Sequence, residues 1–183
     1  MSDLAKAAAA AALALGLSTS AAQAADPENM LVLETVHGKV LIEMMPDVAP
    51  NHVERIKTLA REGFYDGNPF HRVIEGFMAQ TGDPTGTGTG GSKLPNLKAE
   101  FSAVPFERGT LGMARSQSPD SANSQFFIMF QRGPWLDGQY TVVGKVVDGM
   151  DVVDQIKKGD KAGNGVVRAP DKIVSLKVLA DTQ

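Results

Sequence analysis

The sequence predicts a single, mainly β domain: a closed eight-stranded antiparallel β-barrel capped by two α-helices. Of the 183 residues, 43% are hydrophobic, which is enough for one sizeable core. The 19 glycines and 10 prolines indicate many turns, and therefore many short strands. About eight β-type runs follow one another without a repeat or a linker, and closing them into a barrel leaves no strand edge exposed.

The composition excludes several classes of function. The formal net charge is −3, with 18 basic and 21 acidic residues, so we expect no nucleic-acid partner. The absence of cysteine excludes disulfides and thiol chemistry. Three histidines fall on a predicted turn, a predicted helix and a predicted strand without ligand spacing, so no metal site is predicted: His37, His52 and His71.

Residues 1–24 have the layout of a secretory signal peptide. An apolar run from Ala7 to Leu17 precedes an A-x-A site at Ala22-Gln23-Ala24, and the run is too short to span a membrane. Lys6 is the only basic side chain ahead of the run, and the alternative is an alanine-rich tail that is disordered or helical. We expect a periplasmic protein that begins near Ala25, comprises residues 25–183 and has no membrane attachment after leader cleavage.

The first half of the mature chain predicts a hairpin and one helix. Met30–Thr35 and Lys39–Met44 are β-rich runs joined by Val36-His37-Gly38. Pro50 suits the first turn of a helix, apolar residues recur after it at helical spacing, and Gly63 is well placed to end it. One amphipathic face of this kind belongs on a sheet or at a barrel mouth.

The stretch 70–83 places one arginine among large apolar residues on two short strands. Because alternate residues of a strand share a face, Phe70 and Arg72 should point one way and His71 the other. By the same rule, two residues of the second strand share a face: Met78 and Gln80. Taken alone, this stretch also suits an ordinary edge strand with a solvated arginine.

A glycine-rich loop follows at residues 83–92. Gly86, Gly88 and Gly91 formally satisfy G-x-G-x-x-G, the dinucleotide-binding fingerprint. That motif requires a strand before it and a helix opening from it, and Ser92-Lys93-Leu94-Pro95-Asn96 is unsuited to open a helix. We therefore predict a mobile or tightly turned loop beside a site, and no nucleotide.

The second half adds further strands and a second helix. Strands are predicted over Thr110–Ala114, Tyr140–Val147 and Ile173–Leu179. Met150, Val153 and Ile156 outline the helix, with Gly159 at its end. The strongest β signal is the run 124–130. Its alternation gives two apolar faces, Gln125, Phe127 and Met129 on one and Phe126, Ile128 and Phe130 on the other. Both faces should therefore be covered or in use.

Several motifs together resemble the cyclophilin family, in order and with matching spacing over nearly all of the chain after residue 24. They are Phe70-His71-Arg72-Val73-Ile74 with Gly76-Phe77-Met78, Gln80 and Gly82-Asp83, then Gly88-Thr89-Gly90-Gly91, Ser124-Gln125-Phe126-Phe127-Ile128, Trp135-Leu136-Asp137-Gly138 and Gly144-Lys145-Val146. The resemblance implies the barrel with two helices, peptidyl-prolyl cis-trans isomerase activity, and neither metal nor cofactor. The implied partners are proline-containing segments of unfolded or folding proteins. A single domain without added segments suggests a monomer.

The resemblance also implies site residues by motif position. Arg72 matches the catalytic arginine of the family. Gln80 and Gln125 match polar groups that hold the substrate backbone, and Gln80 is also assigned as catalytic. The walls of the proline pocket match Phe77, Met78, Phe127 and Leu136. The peptide groove matches Ala114, Arg115 and Ser116, with Gly88 on the facing loop and Trp135 at the rim.

Two departures from the family pattern concern substrate preference. Tyr140 stands where many members have a histidine, and a tyrosine supplies the same flat apolar wall with a hydroxyl. Met113-Ala114-Arg115-Ser116 replaces a more usual asparagine-containing run, and the loop before Ser124 is one residue longer. The preference for residues next to proline, and the affinity for cyclosporin-type peptides, are therefore left open.

The chemistry implied for Arg72 needs no nucleophile. Amide resonance imposes a barrier of about 18–20 kcal/mol on rotation of the X-Pro bond, and twisting the bond localises the lone pair on the proline nitrogen. A charged donor aimed at that nitrogen gains strength only in the transition state. The alternative function is a proline-peptide binding module or chaperone without significant turnover. The retained Arg72 favours the enzyme, because a binding module has little need of a charged donor beneath the ring.

Overall fold

A computed structural model describes residues 25–182 as one eight-stranded antiparallel sheet with two α-helices. The strands are β1 (Met30–Thr35), β2 (Gly38–Met44), β3 (Arg72–Ile74), β4 (Met78–Thr81), β5 (Thr110–Met113), β6 (Phe126–Met129), β7 (Val142–Asp148) and β8 (Ile173–Val178). The helices are α1 (Pro50–Arg61) and α2 (Met150–Gln155). Along the sheet the strand order is β3-β4-β6-β5-β7-β2-β1-β8. The predicted signal peptide, residues 1–24, lies outside the described residues.

The sheet curls around one large apolar core. Alternate residues of its strands point inward, and Leu33, Ile42 and Leu176 are fully buried there. The apolar face of α1 covers this core with Ile56 and Leu59. Since burying one such side chain contributes about 1.5–3 kcal/mol, this packing dominates the stability of the domain. Among residues 25–182, no helix is both long enough and apolar enough to cross a membrane.

Strand β6 has both of its faces buried, as its two apolar faces predicted. Phe126 and Ile128 belong to the large core. Phe127 and Met129, on the opposite face, join a smaller cluster that includes Met78 of β4. A strand with two apolar faces therefore separates the structural core from a second apolar layer, and that second layer forms the floor of the candidate site.

The prediction of a closed barrel is wrong, because the sheet remains open between β3 and β8 and forms a half-barrel. The outer edge of β3 pairs with the loop that precedes β8: Val73 N donates to Gly165 O at 2.8 Å, and Gly159 N donates to Val73 O at 2.9 Å. Ahead of both strands, Phe70 N donates to Asp171 O at 2.9 Å. The loop thus takes the hydrogen bonds that a β3–β8 ladder would need.

The predicted alternation over residues 70–74 fails at its first two positions, because β3 begins only at Arg72. Phe70 lies in the large core beside Val73 instead of sharing a face with Arg72. His71 lines the same cleft as Arg72, although it was expected on the opposite face. Strand periodicity therefore applies from Arg72 onward.

Candidate active site

A cleft of about 340 Å³ lies over β3, β4 and β6, beside the loop 83–92. Most of the residues assigned from the sequence line it together: Arg72, Phe77, Met78, Gln80, Gly88, Ala114, Arg115, Phe127, Leu136 and Tyr140. Ser116 and Gln125 line an adjoining cleft of about 520 Å³. Trp135 lines neither cleft. It is 58% exposed and packs against Phe77, with the two ring centroids 5.6 Å apart.

The floor of the first cleft is a layer of buried apolar side chains. Phe127 stacks on Phe106 with ring centroids 5.8 Å apart, and it meets the ring of Tyr140 edge-on at 6.0 Å. Gly112 of β5 leaves room for this stack, since a Cβ there would lie 2.5 Å from atoms of both phenylalanine rings. Flat apolar walls of this kind suit a compact apolar ring.

The guanidinium of Arg72 is held at the edge of this cleft by three hydrogen bonds. Arg72 Nη1 donates to Gln80 Oε1 at 3.2 Å, because β3 and β4 place these two residues opposite each other. Arg72 Nε donates to Asn164 O at 3.1 Å, and Nη2 donates to Asn164 Oδ1 at 3.0 Å. Burial lowers the pKa of Arg72, although Tyr140 partly offsets this, and a guanidinium keeps its charge in proteins. Arg72 therefore presents an oriented cation at the edge of the cleft.

A chain of side-chain amides connects Arg72 to the glycine-rich loop. Gln80 Nε2 donates to Gln125 Oε1 at 2.9 Å. Gln125 Nε2 donates in turn to Gly88 O at 3.0 Å and to Gly90 O at 2.8 Å. Both glutamines were assigned from the sequence as groups that contact substrate. The geometry adds that they also position the arginine relative to the loop.

The glycine-rich loop is tightly turned around one buried carboxylate, Asp83. The backbone N–H groups of Thr85, Gly88 and Gly90 donate to its two oxygens at 2.8, 2.7 and 3.0 Å. Burial raises the pKa of Asp83, but hydrogen bonds from the Thr85 hydroxyl and these amides outweigh it and lower that pKa to about 2. The amides that would cradle a phosphate in a nucleotide-binding loop are bound here to the chain's own anion.

Sequence reasoning did not assign Asn164 to the site. Its φ of +55° lies in the left-handed region, which asparagine and glycine adopt most readily. The dipeptide Asn164-Gly165 signals a turn, but 92 residues separate it from Arg72, so no local spacing connects the two. His71 also lines the cleft, and burial lowers its pKa more than the nearby Asp83 raises it, which favours the neutral imidazole.

The arrangement can hold a compact apolar ring beside the fixed charged donor of Arg72. Within residues 25–182, no group of three or more histidine, cysteine, aspartate or glutamate side chains is placed to hold a metal ion. Of the assigned residues, Arg72 is the charged donor and Gln80 accepts a hydrogen bond from it. The apolar side chains of Phe77, Met78, Phe127 and Leu136 line the cleft.

A family model and two relatives of known name agree on one family for this chain. Residues 30–178 match the family model described as cyclophilin type peptidyl-prolyl cis-trans isomerase/CLD. A probable peptidyl-prolyl cis-trans isomerase of Brucella suis biovar 1 is 60% identical over 173 residues, which cover 88% of each chain. A peptidyl-prolyl cis-trans isomerase of Helicobacter pylori is 45% identical over 132 residues, covering 70% of this chain and 80% of that protein.

Solved structures with the same fold include two cyclophilins from different organisms. The cyclophilin AquaCyp293 from Hirschia baltica is 30% identical and has a TM-score of 0.75, covering 85% of this chain and 76% of that one. A cyclophilin type peptidyl-prolyl cis-trans isomerase of Cryptosporidium parvum, determined in the presence of the dipeptide Ala-Pro, is 29% identical with a TM-score of 0.75. That match covers 81% of this chain and 98% of the other.

Proposed function

The chain belongs to the cyclophilin-type peptidyl-prolyl cis-trans isomerases, and on that premise we propose that Arg72 catalyses X-Pro isomerisation in proteins folding outside the cytoplasm. The observation that carries the proposal is the position of Arg72 beside an apolar cleft. Three hydrogen bonds to neutral oxygen acceptors fix its cation there. The substrates are proline-containing segments of unfolded or folding chains, and the enzyme acts as a monomer.

In this mechanism the proline ring enters the apolar cleft against Phe77, Met78, Phe127 and Leu136. In the planar amide, the nitrogen lone pair is delocalised and accepts poorly. As the bond twists, the lone pair localises, and a guanidinium N–H of Arg72 can donate to it. Because this hydrogen bond forms only in the transition state, its strength lowers the barrier and does not merely tighten binding.

A thousandfold acceleration needs about 4 kcal/mol of transition-state stabilisation. A hydrogen bond to a charged group contributes about 1.5–3 kcal/mol, and each tenfold of rate needs about 1.4 kcal/mol. One such bond therefore supplies roughly one to two powers of ten. The remainder comes from orientation: Gln80 keeps the guanidinium in place, and backbone groups at Ala114 and Arg115, with Gln125, fix the chain on either side of the proline.

Support for the substrate class comes from the cleft and from a relative. The apolar cleft has the size and wall chemistry for a proline ring, and the Cryptosporidium parvum relative was determined in the presence of Ala-Pro. Support for export comes from the apolar run and the A-x-A site within residues 1–24. Sequencing the N-terminus of protein recovered from the periplasm should give Ala25, and recovery of full-length protein from the cytoplasm alone would contradict export.

A protease-free isomerisation assay on a neutral X-Pro peptide tests the enzyme proposal. We expect Arg72→Ala to lower kcat/KM about 10- to 100-fold, since it removes the donor and leaves the cleft walls in place. Arg108→Ala is the matched control, because Arg108 pairs with Asp154 away from the cleft, and it should retain full activity. A folded wild-type protein that binds the peptide without turning it over would leave only the binding module.

A further inference from the structure

Arg115 lies between the two clefts and lines both of them. Its guanidinium carbon lies 4.3 Å above the centroid of the Tyr140 ring. Arg115 Nη1 donates to Ser116 O at 2.9 Å, and Nη2 donates to Gln139 O at 2.9 Å. Stacking and hydrogen bonding together hold this cation in one place, so that little rotamer freedom is lost when a ligand approaches it.

The charge of Arg115 has no counter-ion within residues 25–182. All of its hydrogen-bond partners there are backbone carbonyls. Arg72 likewise has only carbonyl and amide oxygens as partners. Away from the clefts, three arginines each pair with carboxylates: Arg61, Arg108 and Arg132. The two cleft arginines are thus positive groups whose charge the folded chain does not compensate directly.

Among residues 25–182, no aspartate or glutamate lines either cleft, although acidic residues outnumber basic ones, 21 to 18, in the whole sequence. Asp83, behind the glycine-rich loop, is fully buried and already bound to the loop's own donors. Asp120, adjacent to the second cleft along the chain, accepts from Ala99 N at 2.9 Å. The groove formed by the two clefts is therefore lined by two arginines and by no carboxylate of residues 25–182, on an acidic protein.

We propose that this groove prefers X-Pro substrates that carry a carboxylate side chain next to the proline, and that Arg115 determines the preference. The inference rests on the proposed function and adds the substrate class to it. With the proline ring in the first cleft, the neighbouring residue that runs toward the second cleft passes Arg115, since the clefts share Gln80, Gly88, Ala114 and Arg115. An acidic side chain there meets a fixed cation, and a basic one meets like charge.

The size of the effect follows from the exposure of the site. Arg115 is half-buried, and three of its N–H hydrogen bonds go to carbonyls, so the attraction is mainly coulombic. Ion pairs in such partly exposed settings change affinity by small factors and weaken as salt rises. We expect about a threefold to tenfold higher kcat/KM for an acidic flank than for a neutral one at low ionic strength.

The test compares tetrapeptides in the protease-free assay, with alanine, glutamate or lysine placed before the proline in one series and after it in another. The readout is the ratio of kcat/KM for the acidic peptide to that for the neutral peptide. For the wild type, we expect the acidic-to-neutral ratio to exceed one on one side of the proline. The ratio of the lysine peptide to the neutral peptide should be below one on that side. Both ratios should approach one as the salt concentration is raised.

The variants assign the effect to Arg115. Arg115→Gln keeps a polar side chain without the charge and should bring the acidic-to-neutral ratio to about one, whereas Arg115→Lys should retain part of the preference. Arg61→Gln, which removes the same charge from a paired surface arginine, is the control and should leave the ratio at the wild-type value.

The outcomes separate this inference from the proposed function. If the neutral peptide is not isomerised by folded protein, the proposed function itself fails. If the neutral peptide is isomerised but the acidic peptides show no advantage on either side of the proline, only the substrate preference is wrong. A preference that persists unchanged in Arg115→Gln overturns the assignment to Arg115.

Discussion

Asn164 holds the guanidinium of Arg72 with both its backbone and its side-chain oxygen, at 3.1 and 3.0 Å. Asn164→Gly keeps the left-handed backbone, since glycine adopts φ near +55° without strain, and removes the side-chain oxygen. We expect kcat/KM for a neutral X-Pro peptide to fall about tenfold, because a guanidinium with one fewer anchor spends less time in the reactive orientation.

A double-mutant cycle distinguishes positioning from a general structural role. If Asn164 acts through Arg72, Asn164→Gly should have little further effect on the residual activity of Arg72→Ala. KM should change less than kcat, because the apolar walls that bind the ring are untouched. Equal losses from Asn164→Gly in both backgrounds would argue against a positioning role for Asn164.

At the scale of elements, the loop 83–92 depends on the ionised form of Asp83, whose pKa is lowered to about 2 by hydrogen bonds that outweigh its burial. A lowered folded-state pKa means that this carboxylate stabilises the fold above its unfolded value of about 3.9, and that the contribution is lost as pH falls toward 2. Asp83→Asn should lower the free energy of unfolding by about 2 kcal/mol at neutral pH.

Urea unfolding of both proteins between pH 6 and pH 2 checks this expectation. The difference between wild type and Asp83→Asn should shrink as the pH falls below about 4, because a protonated Asp83 resembles the amide. Asp83→Asn should also raise KM for peptide, since the loop carries the carbonyls of Gly88 and Gly90 that hold Gln125. A stability difference that stays constant across the whole range would contradict the role given to the charge.

Sequence pattern predicted the elements well where local physics decides them. The hairpin β1–β2 follows from its two β-rich runs, and strand β6 follows from the alternation of its side chains. Helix α1 follows from Pro50 at its start and from apolar residues at helical spacing. The predicted alternation failed next to β3, because this strand is only three residues long and begins after His71. Most cleft residues were found through motifs, whereas Asn164 was missed because its partnership with Arg72 is made only by the tertiary fold.

At the scale of the whole molecule, barrel closure could not be read from strand count. Whether β3 pairs with β8 depends on the path of residues 156–172, and that stretch has turn residues but no periodic pattern. In the structure this loop hydrogen-bonds to both N and O of Val73, the central residue of β3, which leaves the edge of β8 without a full partner strand. Competition between a loop and a strand for the same edge is a tertiary property.

Amide hydrogen exchange should detect the open side of the sheet. Backbone amides of Phe70 and Val73 are bonded to loop segments, whereas the β1–β2 ladder pairs six consecutive positions within the sheet. We expect the amides of Phe70 and Val73 to exchange at least about tenfold faster than the slowest amides of β1 and β2. Equal protection at both places would mean that this side opens only with the whole domain.

The open side of the sheet should also make isomerase activity more sensitive to warming than the fold itself. The loop that covers β3 carries Asn164, so a local opening that detaches this loop would release Arg72 from two of its three anchors. Most of the large core would stay in place, because the loop contributes only a few of its residues, such as Val167. Such sub-global openings need less free energy than complete unfolding. On warming, isomerase activity should therefore decline before circular dichroism records any loss of β-structure, and it should return at once on cooling.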